Sequence, residues 1–475
     1  MKQRQQGNNN IKGSEKQMEF HKELLIEKGA LILNEAQKQE ATQAEVVISM
    51  RTLALTRLAN SIIDQNIAER HAKALITLYY GKKQGSINVE VFQDKDLRKA
   101  VADAAKIAKV SPANKDFESL PEPQPYKKPF SYKDLLCKST INTTPEKRAE
   151  FAETAINTAH DVDKKIGTVA GAISNSLTEG VVMNSLGVEG YYVHAGCNIN
   201  LTVLGKNGSE ETAGWCTDSR RDINDLHIEK VAEIAAEKAA EGFGLKELGP
   251  GEYEVVLEPA AIGGILFMMN YYGFSSLMYQ DYISFLRDKI GEKLFDKKLN
   301  ITDNAYDTRH VYPTIFDDEG VPKQKLELVK NGVPKNLAYD TLRASKDDVE
   351  STGHNIKGRR GSFPVAVHPI TEEGPASIDE MVAETKKGLL ITHFHYQNAV
   401  NPTKGVFTGL TRDGTWYIEN GEIQYPVKTL RYTDSVLRFL KNIDLIGKYG
   451  ELNTTRGLIP AMKLPSFKFS GSTSG

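Results

Sequence analysis

The sequence is poor in cysteine, in net charge and in long apolar runs. Only Cys137, Cys197 and Cys216 occur in 475 residues, and an odd, small number in a long chain excludes a disulfide framework and is typical of the reducing cytosol. The formal charge is −2, with acidic and basic residues interspersed, so no basic patch favours nucleic acid or an anionic membrane. We therefore expect a cytoplasmic protein that binds neither of these directly.

The chain also lacks several catalytic motifs. It contains no glycine-rich phosphate loop and no G-x-S-x-G element, so nucleotide hydrolysis and serine esterase chemistry lack their signatures. Cys216 could act as a nucleophile only with a depressed pKa and a neighbouring base, and the sequence shows neither. None of these enzyme classes is favoured.

Both ends of the sequence are polar. The stretch 1–17 has no apolar run of the length that a secretory signal needs, so we expect a disordered leader and no export. The stretch 470–475 reads SGSTSG, a composition typical of a flexible tail.

One long window, 259–280, contains no charged residue. Its length of about 20 residues would suffice for a membrane span, but glycine, asparagine, serine and glutamine interrupt it, and only ILFMM at 265–269 is solidly apolar. A buried helix is therefore the prediction, and the chain is not expected to enter a membrane. Pro259 suits the first turn of that helix, where its missing N–H is not needed.

Helical and strand patterns alternate in a chain that is too long for one hydrophobic core. We predict the α+β class, with an N-terminal two-part α/β unit followed by a strand-rich C-terminal domain. The first part, 18–112, combines a helix, a strand in AEVVISM, a hairpin around the turn GKKQG and a second helix. One apolar stripe runs along that second helix and consists of Leu97, Val101, Ala104 and Ala108.

Proline and turn signals mark the later boundaries. The proline-rich stretch 113–130 is predicted to be an extended linker, because proline fixes φ and removes a hydrogen-bond donor. A central α+β domain is expected over 131–246, with a helix near each end and strands between them. The final domain, 247–469, carries Asn420-Gly421 between two alternating strands, a strong hairpin signal.

Six ordered sequence blocks give a resemblance that covers the chain from about residue 18 to 469. They are NSLG at 184–187, GEYEVVLEP at 251–259, FDDEGVP at 316–322, STGHN at 351–355, GLLITHFH at 388–395 and LTRDGTWYIENGEI at 410–423. In this order they resemble the TldD/PmbA family, whose members are described as modulators of DNA gyrase and as TldD/TldE-type peptidases. The specificity lies in the series of blocks rather than in any single one.

The resemblance implies that the helix after the VVL strand is the metal helix of TldD-type members. There it carries HExxxH, whose histidines bind zinc and whose glutamate polarises a water, and a cysteine near the C-terminus completes the ligand set. In this chain the motif positions fall on Phe267, Met268 and Tyr272, and the cysteine position falls on Leu452, with no cysteine after Cys216. No metal ligand and no catalytic residue is therefore expected here, which is the PmbA/TldE-like pattern, and zinc is expected only in a TldD-like partner.

Other polar residues are candidates for a peptide groove. His393 and His395 lie two apart on a predicted strand, so both rings would face one side; they could supply two metal ligands, but a polar groove lining is the preferred interpretation. Arg412 and Asp413 are typical of a turn with a local ion pair, with substrate contact as the alternative. His354 is interpreted as a loop side chain that caps backbone groups, or else as part of the groove.

An acidic run, Asp317, Asp318 and Glu319, offers oxygen ligands that could hold a divalent cation. Because Gly320 and Pro322 follow, a solvated turn is the preferred interpretation.

Two classes of function follow from these features. The first is a non-catalytic subunit of a cytosolic zinc peptidase, paired with a TldD-like HExxxH paralogue and lining a groove that admits unfolded peptides. The second is a homodimeric binding or regulatory protein of the DNA gyrase modulator type, which cuts nothing. The sequence leaves the peptide substrate and the stoichiometry open.

Overall fold

A computed structural model of the chain describes residues 18–90, 92–358, 361–455 and 457–472. The helices are α1 (Lys22–Lys38), α2 (Asp94–Val110), α3 (Lys138–Ile141), α4 (Pro145–Val162), α5 (Ile228–Glu241), α6 (Pro259–Gly273), α7 (Ser276–Gln280), α8 (Thr341–Lys346), α9 (Ile378–Ala383) and α10 (Val436–Phe439). The strands are β1 (Gln43–Ala59), β2 (Ile62–Tyr80), β3 (Lys83–Val89), β4 (Ile166–Asn184), β5 (Glu189–Asn207), β6 (Glu210–Arg220), β7 (Gly251–Leu257), β8 (Ile301–Asp303), β9 (Leu326–Lys330), β10 (Val333–Pro334), β11 (Asn355–Gly358), β12 (Gly361–Pro364), β13 (Pro369–Thr371), β14 (Lys387–Asn401), β15 (Val406–Glu419), β16 (Glu422–Pro426), β17 (Leu430–Ser435), β18 (Leu445–Ile446) and β19 (Met462–Ser472). The α+β class is confirmed.

The first six strands form one antiparallel sheet, in the order β3-β2-β1-β4-β5-β6. Strand β1 pairs with β4 continuously, from Glu45 opposite Asn184 to Leu58 opposite Gly171. The two predicted parts, 18–112 and 131–246, therefore contribute strands to one sheet. The linker 113–130 runs along this unit and buries Phe117 and Leu120 against it.

The helices of this unit cover the sheet with apolar stripes. The stripe expected on α2 is confirmed, because Leu97, Val101, Ala104 and Ala108 are all buried. The buried residues of α5 are mostly alanine, which lets the helix lie close to β6: a Cβ at Gly214 would come within 2.1 Å of the Ala235 carbonyl oxygen. Small residues thus set the spacing between helix and sheet.

The C-terminal strands close on themselves. Strand β14 pairs with β7 in parallel and with β15 in antiparallel, and β7 pairs with β19, β19 with β17 and β17 with β15. The result is a ring of five strands with few free edges, which protects its main-chain groups. The hairpin at Asn420-Gly421 is confirmed, with φ of 52° and 82° at the two turn residues, as this tight turn type requires.

Helix α6 begins at Pro259, in the first turn as predicted. It belongs to the same apolar cluster as the ring strands, and no helix among the described residues is long and apolar enough to cross a membrane. Ile265, Leu266 and Met269 are buried, but Phe267 is 49% exposed. The expectation that the whole ILFMM run packs as core is therefore wrong at Phe267, because a helix can turn only one side of such a run inward.

The predictions for the two ends of the chain can be compared with the structure only in part. The leader 1–17 lies outside the described residues, as do 473–475 of the expected tail. The start of that tail at residue 470 is wrong, because β19 continues to Ser472, where it pairs with Leu430 of β17.

Candidate functional site

The three positions at which the resemblance places the zinc motif lie on α6, directly after strand β7. Phe267 points to solvent, whereas Met268 and Tyr272 are half-buried against the C-terminal core. The Tyr272 ring lies 5.9 Å from the ring of Phe407 and 4.9 Å from that of Tyr271. These side chains offer packing surface but no imidazole or carboxylate, so they do not fit a zinc ion.

The six-stranded sheet and the helices that cover it are called here the central unit. The loop that carries Leu452 runs from this unit to α6. Leu452 packs against the apolar cluster beneath α5, and the next residue, Asn453, donates its N–H to Asp218 at 2.8 Å. Two residues further on, Thr455 lies so close to α6 that a Cβ at Gly263 would come within 2.9 Å of its methyl group. The loop is thus anchored by packing and backbone contacts, and Leu452 has no lone pair for a metal.

A cleft of about 490 Å³ separates the central unit from the C-terminal ring. Glu211 and Lys238 line it from β6 and α5, and His395, Arg412 and Asp413 line it from β14 and β15. The structure therefore brings His395 and Arg412 together, with an Arg412 Nη1 to His395 Nδ1 distance of 3.1 Å. The cleft also borders Tyr396, which is 69% exposed and lies 3.9 Å from the His395 ring, centroid to centroid.

His393 lies beside this cleft, two residues before His395 on β14. Its ring contacts Trp215 of β6 at 4.5 Å, and its Nε2 is 3.5 Å from the Asp413 carboxylate. Burial, together with the nearby positive charges of Lys238 and Arg412, lowers the pKa of His393 to about 3. The imidazole is neutral at physiological pH, and its Nδ1 is buried without a hydrogen-bond partner among the described residues.

Arg412 and Asp413 do form an ion pair, with 3.5 Å between Nε and the carboxylate. The expected turn is wrong, however, because both residues lie within β15, where φ is 51° at Asp413 and 135° at Gly414. Such an irregularity re-aims side chains along a strand. Burial raises the pKa of Asp413, against the opposing effect of Arg412.

Sequence reasoning missed Lys238, which lines the cleft from α5. Its Nζ donates to both carboxylate oxygens of Glu258, at 2.9 and 2.8 Å. Glu258 precedes Pro259, so this pair ties α5 to the N-terminus of α6, where a negative charge is favoured by the helix dipole. In the sequence Lys238 is only a lysine next to Ala239, one of the buried alanines of α5, and nothing there indicates a role in a site.

His354 does not join the cleft residues. It is fully buried in the C-terminal domain, where Nδ1 donates to the carbonyl oxygen of Thr352 at 2.8 Å and Nε2 contacts Asp303 at 3.1 Å. Asp303 also accepts the N–H of His368 at 2.6 Å. With no exposed surface, His354 cannot touch a peptide; the backbone contact to Thr352 agrees with the capping interpretation.

Asp317 and Glu319 of the acidic run are buried and Asp318 is half-buried, so the expected solvated turn is wrong. Asp317 accepts the N–H groups of Glu319, Val321 and Asn355 at 2.9 to 3.0 Å. Burial raises the pKa of Glu319 to about 8, although the ammonium of Lys357 opposes that rise. Asp317 thus organises the backbone around the turn.

Lys357 extends this buried cluster to the N-terminal sheet. It forms an ion pair with Glu45 of β1, and Glu45 also accepts the hydroxyl of Tyr79 at 3.0 Å. The cluster therefore joins the C-terminal domain to the first sheet.

Cys197 and Cys216 are not poised for catalysis. Burial raises the pKa of Cys197 and of Cys216 to about 12, so both thiols are protonated and weakly nucleophilic at neutral pH. Among the described residues, no group of three or more His, Cys, Asp or Glu side chains is arranged to hold a metal ion.

Two domain profiles match the chain in order. Residues 138–242 match the PmbA/TldA metallopeptidase central domain and residues 250–471 match the PmbA/TldA metallopeptidase C-terminal domain. Together they cover more than half of the chain.

The chain belongs to the PmbA/TldD family.

Full-length relatives agree with this family. The metalloprotease PmbA homolog of Haemophilus influenzae is 26% identical over 461 residues, which are 91% of this chain and 97% of that protein. Metalloprotease MJ0996 of Methanocaldococcus jannaschii is 24% identical over 391 residues, 80% of this chain and 83% of that one. The similarity thus extends well beyond α6.

Among solved structures, TldE from Thermococcus kodakarensis has the same fold. It superposes with a TM-score of 0.83 at 23% identity and covers 94% of this chain and 100% of that one. In this fold, α6 carries Phe267, Met268 and Tyr272 at the positions where the resemblance places the zinc motif.

Proposed function

We propose that this chain is a PmbA/TldE-like, non-catalytic subunit of a cytosolic TldD/TldE-type zinc peptidase that acts on unfolded peptides. The observation that carries the proposal is α6, where an exposed phenylalanine and two packed side chains replace residues that could bind zinc or activate water. The metal and the catalytic glutamate would come from a TldD-like HExxxH paralogue.

The cleft between the central unit and the ring is the surface that we assign to the peptide. His395 and Arg412 line one side of the cleft, with His393 beside it, and Lys238 lines the other side. The exposed guanidinium of Arg412 suits main-chain carbonyl groups, which every extended peptide presents, so recognition there needs little side-chain specificity.

The test is to co-express this chain with an HExxxH paralogue from the same genome and measure the mass by light scattering. We expect a stable complex that buries at least about 1,600 Å², as specific interfaces normally do. We also expect the complex to cleave unstructured peptides faster than the paralogue alone, in a manner that a chelator abolishes. A paralogue that is fully active by itself and elutes separately at micromolar concentration would favour the homodimeric binding protein instead.

A matched pair of variants assigns the cleft within that complex. Arg412→Ala should raise the KM for an unstructured peptide at least about tenfold, because a hydrogen bond to a charged group is worth about 1.5 to 3 kcal/mol. Lys206→Ala, at an exposed position on β5, serves as the control and should leave KM unchanged. An unchanged KM in both variants would place the peptide elsewhere.

A further inference from the structure

A second cavity, called here the small cavity, lies between strand β5 of the first sheet and the segment 312–323 of the C-terminal domain. Its volume is about 220 Å³, and it shares no lining residue with the cleft assigned to the peptide. Pockets for drug-sized ligands measure about 300 to 1,000 Å³. The small cavity therefore suits a smaller molecule.

Four aromatic rings line the small cavity and follow one another in contact. The ring centroids are 6.3 Å apart for Phe316 and Tyr192, 5.5 Å for Tyr192 and His194, and 6.0 Å for His194 and Tyr312. Burial lowers the pKa of His194 to about 4, so its imidazole is neutral at physiological pH. These rings, called here the aromatic wall, offer apolar surface without a charge.

The small cavity is also lined by a buried lysine, Lys323. Lys323 is only 4% exposed, yet its ammonium forms no hydrogen bond and no ion pair among the described residues. The ammonium lies near two other lining residues, because its charge opposes the rise in pKa that burial causes in Asp317 and Asp318. A buried charge without a partner is costly, so Lys323 needs a partner inside the cavity.

Two hydrogen-bond acceptors of the lining are also without partners in the described part of the chain. Asp318 accepts the N–H of Lys357 through Oδ2 at 2.8 Å, whereas its Oδ1 accepts nothing. His368 donates through Nε2 to the carbonyl oxygen of Tyr312 at 2.9 Å, which leaves Nδ1 as an acceptor that no group satisfies. Burial lowers the pKa of His368 to about 3, so this ring does not add a second cation.

The lining thus combines one cationic donor, a carboxylate acceptor and an apolar wall within one small volume. A simple anion would leave the acceptors unpaired, and a simple amine would leave Lys323 unpaired. An α-amino acid zwitterion presents a carboxylate, an ammonium group and a side chain on one carbon atom, so it can satisfy all three features at once.

We propose that the small cavity binds a free α-amino acid with an apolar side chain. The carboxylate of the amino acid contacts Lys323, its ammonium group contacts Asp318, and its side chain lies against the aromatic wall. The proposal concerns this chain alone and needs neither a peptidase partner nor a metal. Its failure would leave the proposed function untouched.

Isothermal titration calorimetry with L-leucine and two analogues tests the site. The analogue 4-methylpentanoate lacks the ammonium group of leucine, and 3-methylbutylamine lacks its carboxylate. The purified chain should bind one leucine, and each analogue should bind at least about tenfold more weakly, because it leaves a charged group of the cavity unpaired.

Two variants of similar shape assign the contacts. Lys323→Met should weaken the binding of leucine and of 4-methylpentanoate at least about tenfold and leave that of 3-methylbutylamine unchanged. Asp318→Asn should weaken leucine and 3-methylbutylamine and leave 4-methylpentanoate unchanged. Lys206→Met, at an exposed position on β5, is the control and should leave all three affinities unchanged.

Circular dichroism establishes that each variant is folded. Should Lys323→Met not fold, Asp318→Asn decides alone, since Asp318 is only half-buried and its effect must distinguish the amine from the carboxylate. No binding of leucine at millimolar concentration would mean that water fills the cavity, and this would overturn the proposal. Leucine binding that is as tight in both variants as in the wild type would overturn it as well.

Discussion

Leu266→Ala is expected to lower the free energy of unfolding by about 2 to 5 kcal/mol, because it removes a large side chain from a packed core and leaves a cavity. Leu266 is 1% exposed, within the apolar cluster that α6 shares with the ring strands. The adjacent Phe267→Ala removes more atoms but from a side chain that is 49% exposed, so its effect should stay below about 1 kcal/mol.

Chemical denaturation of the two variants measures this difference directly. Two neighbouring apolar residues of one helix provide a matched comparison, since helix propensity changes little between them. A Phe267→Ala variant destabilised as much as Leu266→Ala would mean that Phe267 is covered in solution, which would make α6 part of an interface.

Asp303→Ala should lower the free energy of unfolding by about 3 to 5 kcal/mol, the range found when one partner of a buried charged pair is removed. Asp303 is fully buried and satisfies both the imidazole of His354 and the N–H of His368. Although burial alone would raise its pKa, the hydrogen bond and charge of His354 hold the pKa of Asp303 well below its ordinary value.

The pH dependence of this effect has a defined sign. A carboxyl group whose pKa is depressed by folding contributes stability above its unfolded pKa, and that contribution is lost as the pH falls toward the folded value. The destabilisation by Asp303→Ala should therefore be larger at pH 7 than at pH 3. Glu327→Ala, an exposed change on the neighbouring strand β9, is the control and should stay within about 0.5 kcal/mol at both pH values. Equal effects of Asp303→Ala at the two pH values would contradict an ionised Asp303.

Local features of the fold were predictable because they depend on a few neighbouring residues. The stripe of α2, the start of α6 at Pro259 and the hairpin at Asn420-Gly421 all follow from helix periodicity and turn stereochemistry. The pairing of β1 with β4 was not predictable, since it joins residues more than a hundred positions apart across a proline-rich stretch that looked like a domain boundary. Sequence periodicity gives the faces of a strand but not its neighbours.

In the candidate site, too, local features were predictable and long-range contacts were not. His393, His395 and Arg412 come together because strand spacing and hairpin pairing place them on adjacent strands. Lys238 comes from a different part of the chain, and its place opposite them depends on how α5 packs. The burial of Glu319 was not predictable from the sequence either, because a run of charged residues is normally solvated. Here the tertiary structure places Lys357 next to Glu319.

The zinc content of the purified chain tests the central claim most directly. The chain, produced alone in zinc-supplemented medium, should contain no stoichiometric zinc by elemental analysis and should not cleave unstructured peptides, because Phe267, Met268, Tyr272 and Leu452 supply no ligand. About one zinc per chain, lost together with peptidase activity on treatment with a chelator and restored by adding the metal, would show a catalytic site in this chain and contradict the account.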